Sequence, residues 1–106
     1  MATGNAQRAY HGTLVASTVD TITLRQGFEF VEIMIRSGTA EIYYTLDGTT
    51  NPIVGGADCY VVPGAITSRI RANPLGSRNT TVVKLISSGT PTYTVQGADN
   101  TMVPSG

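Results

Sequence analysis

The side chains able to do chemistry are few, and their spacing matters more than their number. His11 is the only histidine, and no cysteine, second histidine or paired carboxylate lies near it at the spacing of a metal site or a triad. It reads as a structural or exposed histidine. Cys59 is the only cysteine. A reactive thiol needs a positive or helix-terminal setting, and Asp58 beside it has the opposite effect. A buried, inert cysteine is expected. Asp47, Thr49, Asn51 and Asp58 place oxygen atoms in a glycine-rich loop. They do not match the calcium pattern D-x-[DN]-x-[DN]-G, so Asx-turns that hold the loop are expected. Glu29, Glu32 and Glu41 are the carboxylates open to a glycosidase reading, but strand parity sends Glu29 and Glu32 to opposite faces. The reading is therefore of no catalytic site, no metal and no cofactor, and of a protein that is not an enzyme.

Binding chemistry is better represented. The tyrosines are Tyr10, Tyr43, Tyr44, Tyr60 and Tyr93. Tyr43 and Tyr44 must face opposite ways on a strand, one toward the core. An exposed Tyr43 or Tyr60 can stack on a sugar ring or anchor a protein contact; the plainer reading is a ring covering a sheet. Arg69 and Arg71 share one face of a strand. They form a small basic patch or pair with Glu29 or Glu41, and two arginines are too few for a nucleic-acid footprint. Asn79-Thr80-Thr81 matches the glycosylation sequon, which stays bare without a secretory signal.

The bulk numbers agree. A chain of 106 residues makes a single domain with one core. Charged residues are 13%, seven basic against seven acidic, so no net field gathers nucleic acid or anionic lipid. One cysteine excludes a disulfide scaffold. The opening MATGNAQRAYHG has no apolar signal-like segment, and no apolar run is long enough to cross a bilayer. The expectation is synthesis in a cytoplasm, with no membrane or nucleic-acid partner.

The elements that must position these residues are strands. Thr, Val and Ile make up about a third of the chain. No apolar pattern of helical period appears, and Gly and Pro punctuate at short intervals. Residues 1–9 read as a flexible arm, 10–97 as a β-sandwich domain and 98–106 as a polar tail. Strands are expected at 10–16, 19–24, 28–36, 41–46, 59–62, 66–72, 80–87 and 92–96, with Gly12 a bulge or a weak point. The runs 28–36 and 80–87 are apolar on both faces and belong at sheet centres. Ser37-Gly38 and Ser88-Gly89 read as hairpin turns. About eight short strands at this spacing make an all-β sandwich, immunoglobulin-like or a small jelly roll.

Two stretches carry a resemblance: FEFVEIMIRSGTAEIYYTLDGTTNPIVGGADCYVVPGAI and TTVVKLISSGTPTYTVQG. Their tokens, in order, are R-S-G-T-A, Y-x-T-x-D-G-x-T, V-G-G, Y-V-V-P and V-V-K-L-I-S-S-G-T-P. Across residues 19–97 the chain resembles small all-β capsid decoration, or minor capsid, proteins of tailed bacteriophages, especially those of actinobacteria. The resemblance implies a structural virion protein on the outer head surface, made in the host bacterial cytoplasm. Its partners would be the major capsid protein and further copies of itself, as a dimer or trimer. The arm would order on binding. Contacts are expected from Gln7, Arg8, Tyr10, Asp47, Thr49, Asn51, Arg69 and Arg71. A second likeness, IYYTLDGT at 42–49, is to immunoglobulin-like modules beside carbohydrate-active enzymes. It implies the alternative of a carbohydrate-binding or adhesion module on a phage tail or enzyme.

Overall fold

The computed structural model of the chain describes residues 2–25, 28–57, 59–64, 67–73 and 80–98. The sequon asparagine, Asp58 and the tail beyond 98 lie outside that set. The described residues form nine strands: β1 (Ala2–Ala6), β2 (Ala9–Thr13), β3 (Asp20–Leu24), β4 (Phe30–Ser37), β5 (Ile42–Thr45), β6 (Tyr60–Val62), β7 (Ser68–Ala72), β8 (Thr81–Ser87) and β9 (Thr92–Ala98). They contain no helix.

Two sheets pack face to face, in the orders β1-β3-β8-β5-β6 and β2-β9-β4-β7. Every pairing is antiparallel except β1 with β3. From β2 onward the chain changes sheet at each connection except β5 to β6, which stay neighbours. With β1 set aside, this is the strand order of an eight-stranded jelly roll, which settles the choice between the two sandwich types. The two-sided apolar runs behave as expected: β8 is the middle strand of five, and β4 lies between β9 and β7.

Period-2 alternation builds the core. Val31, Ile33 and Ile35 of β4 face Ile42 and Tyr44 of β5, Val83 and Leu85 of β8, and Ile22 and Leu24 of β3, all fully buried. Each such aliphatic side chain contributes about 2 kcal/mol of transfer free energy.

Several local expectations give way. Ala2–Ala6, placed in the arm by sequence, is an edge strand in register with β3. Its inward positions are small because Tyr10 fills the space: a Cβ on Gly4 would lie 2.6 Å from the Tyr10 ring. Small inward residues leave no apolar alternation to read. Ser37-Gly38 and Ser88-Gly89 are not hairpin turns. They carry the chain from one sheet to the other, because β4 and β5, and β8 and β9, present their apolar faces to each other across the core. Gly38 takes φ +99° there, with its Cβ position 3.1 Å from the Pro91 backbone. Gly12 is no bulge. It pairs in register with Tyr93, and a side chain would meet the Tyr93 hydroxyl. The irregularity falls in β4 instead, between Ile35 and Ser37. Thr45 faces outward, opposite Lys84, yet is buried, because the β5–β6 loop folds over it and its hydroxyl donates to the Thr50 carbonyl at 2.6 Å.

Candidate functional site

Strands β6 and β7 are the last strands of their sheets on the same side of the sandwich, and one arginine closes the seam between them. In β5 and β6, Tyr44 and Tyr60 are directly opposed, with ring centroids 5.5 Å apart. Arg71 is paired with buried Val31, so its side chain is on the inner face of β7 and reaches across. Its Nε donates to the Tyr44 hydroxyl at 3.0 Å, and its guanidinium carbon stands 4.1 Å from the centre of the Tyr60 ring. Such a cation over an aromatic face contributes about 0.5–2 kcal/mol. Tyr44 is fully buried, while Tyr60 is 44% exposed. Burial pushes the Tyr44 phenol up, and the Arg71 hydrogen bond only partly opposes it, so this hydroxyl stays neutral.

Arg69 lies on the same face as Arg71, as parity predicts, and its Nη1 donates to the neighbouring Ser68 carbonyl at 2.9 Å. Among the described residues neither arginine has a carboxylate partner. Of the two readings open from the sequence, pairing with Glu29 or Glu41 is not what forms: Arg71 takes tyrosines instead.

The loop from β5 to β6 is organised by Asp47. Its Oδ1 accepts from the Thr49 and Thr50 amides at 2.9 and 2.8 Å, and its Oδ2 accepts from the Thr50 hydroxyl at 2.6 Å. These bonds hold the carboxyl down at about 2, against an ordinary 3.8. Asp47 and Thr49 are thus a loop staple, the Asx geometry the sequence suggested. The Asn51 side-chain oxygen accepts from Lys84 Nζ at 3.2 Å, tying the loop to β8. Cys59 is half-buried rather than buried. Its Sγ accepts from the Ile53 amide at 3.4 Å, a further pin for the loop. Beyond these ties the loop exposes Ile53 and Val54, and β6 exposes Val61 beside Tyr60.

The topology gathers most of the residues expected in contacts at one end of the sandwich, without making them one site. The β5–β6 loop and the Arg71 end of β7 share that end with the β1–β2 connection. Gln7 and Arg8 occupy this connection and are exposed, but they belong to the opposite edge. Tyr10 is no free contact residue: it packs on the core beside Tyr93, with centroids 6.4 Å apart. The remaining candidates do not converge. His11 Nδ1 lies 2.8 Å from the Thr94 hydroxyl on the outside of the four-stranded sheet. Glu32 accepts from Gln96, and Glu41 accepts from the Tyr43 hydroxyl at 3.0 Å, a bond that raises the Tyr43 phenol. Among the described residues, no three His, Cys, Asp or Glu side chains are placed to hold a metal ion.

One buried polar pair escaped sequence reading. Asp20 is buried, and its Oδ2 accepts from the Tyr93 hydroxyl at 2.9 Å, while its Oδ1 has no partner among the described residues. The signal was present: Asp20 has the parity of Ile22 and Leu24, so it had to face in. Burial first, then the Asp20 charge, push the Tyr93 phenol far up.

Compared with family models, with curated proteins and with solved structures, the chain matches none.

Proposed function

We propose that this chain is a structural virion protein that binds the outside of a tailed-bacteriophage head and stabilises the capsid lattice. The carrying observation is the exposed band at one edge: Ile53 and Val54 of the loop, Tyr60 and Val61 of β6, and Arg71 over the Tyr60 ring. Tyrosine and arginine ringed by apolar side chains are the composition of protein contacts rather than of a reaction centre. The order of motifs across residues 19–97 supports the same reading. The jelly roll alone does not select it, because the fold serves capsids and lectins alike.

The mechanism is adhesive. A rigid sandwich bridges neighbouring capsid subunits through its β6–β7 edge, and repetition over the lattice makes many modest contacts act together. Copies of the chain assemble around the symmetry axes of the head. The arm plays no part in this version, since Ala2–Ala6 is already paired within the sandwich.

The test is to purify virions from a lysate and separate heads from tails. Co-sedimentation of the chain with heads in many copies, weakened by Tyr60→Ala, is the expected result. A few copies confined to tails would overturn the proposal. So would specific binding on a glycan array that is lost in Tyr43→Ala or Tyr60→Ala.

A further inference from the structure

The free edge of β7 has a readable polarity. The Ile35 amide donates to the Thr67 carbonyl and the Asn73 amide to the Glu29 carbonyl, each at 2.7 Å. In an antiparallel ladder this fixes the alternation. Residues 69 and 71 turn their backbone groups toward β4, and Ser68, Ile70 and Ala72 turn theirs outward. The position of Arg69 agrees, for its guanidinium caps the outward carbonyl of Ser68. The amides of Ser68, Ile70 and Ala72 and the carbonyls of Ile70 and Ala72 therefore line an edge that has no strand beside it among the described residues. All five residues of β7 are exposed.

Side chains alternate along the same edge. Arg69 and Arg71 stand on the inner side and Ile70, 46% exposed, on the outer side. Arg71 is already held by Tyr44 and Tyr60 through its Nε and its face, which leaves its Nη groups to meet a partner. At the start of the strand an open depression of ≈ 340 Å³ is lined by Met34, Ile35, Arg36, Thr67 and Ser68, adding a third guanidinium.

We propose that the β7 edge takes an extended acidic segment of a partner protein as an added strand. Main-chain hydrogen bonds from Ser68, Ile70 and Ala72 supply the pairing. Charge complementarity selects the occupant: carboxylates of the segment sit opposite Arg69 and Arg71, and an apolar residue between them covers Ile70. Arg69 exchanges its bond to Ser68 for a carboxylate, which frees the Ser68 carbonyl for pairing. A second copy docking through the same edge is disfavoured, because β7 against β7 brings Arg69 and Arg71 of both chains together. The inference stands whether or not the protein belongs to a virion.

The probe is a synthetic peptide alternating glutamate with valine, titrated into the full chain at low salt. Binding is expected, with slowed hydrogen exchange at the Ile70 and Ala72 amides, and weaker binding as salt rises. Arg71→Gln or Arg69→Gln should each weaken it about tenfold, the scale of one charge-assisted contact. Ile70→Pro should abolish it while leaving the native ladder intact, since that amide faces away from β4. Equal binding of a lysine–valine peptide, unchanged binding by the Ile70→Pro or arginine variants, or β7-mediated dimers that exclude the peptide would each overturn the proposal. So would the absence of binding.

Discussion

Asp47 shows how much one side chain can organise. With three hydrogen bonds to its ionised form, it titrates at about 2 in the folded protein against 3.8 ordinarily. The depressed value fixes the sign: the loop is stabilised above about pH 4, loses that support as the pH falls, and has none below about pH 2. A carboxyl chemical-shift titration should find the Asp47 midpoint near the lower value. A midpoint close to 4 would show that the staple does not hold in solution. The Asp20–Tyr93 pair makes a different demand. Tyr93→Phe leaves a buried carboxylate without its donor and should cost about 1–3 kcal/mol in urea denaturation. A neutral result would mean that the carboxylate finds another partner. At this scale the sequence was informative where short spacing decides the contact. Asp47 with Thr49 was legible as an Asx turn, and parity split Tyr43 from Tyr44; the Thr50 bonds came only with the structure. The Arg71–Tyr60 stack and the Tyr93–Asp20 bond were not legible, because each joins residues that meet only through the fold.

Elements were legible when their inward residues were large. β3, β4, β5 and β8 declared themselves by alternating or two-sided apolar runs. β1 did not, since Gly4 and Ala6 face inward and leave the volume to Tyr10. Gly4→Val should therefore push Tyr10 or Ile22 aside or detach β1, at about 1–3 kcal/mol for overpacking. Loss of hydrogen-exchange protection confined to β1 would identify the second route, whereas unchanged stability would refute the tight fit. Exposed Asn5 on the same strand is the control, where Asn5→Thr should stay within about 0.5 kcal/mol. The turns show a second blind spot. Ser-Gly pairs mark where a chain reverses, but not whether the next strand joins the same sheet or the facing one. That depends on where the apolar faces of β4 and β5 must go.

For the whole molecule, class was readable and order was not. Short strands with frequent turn residues specify a sandwich. The pairings that make it a jelly roll, β2 with β9 and β3 with β8, join segments far apart in the sequence, and no local pattern encodes them. Because loop closure precedes such contacts, this topology belongs among the slower folders of its size.

The parallel pairing of β1 with β3 has a mechanical consequence. β1 begins at the Asp20 end of the sandwich, while β9 finishes at the Phe30 end. Tension between residues 2 and 98 thus pulls along the strand axes in opposite directions. The β1–β3 ladder is loaded in shear, so its hydrogen bonds share the force and must yield together. Had the fold started at β2, the same pull would have parted β2 from β9 at their common end, one bond at a time. The edge strand with no apolar signature is the part that converts an unzipping joint into a clamp.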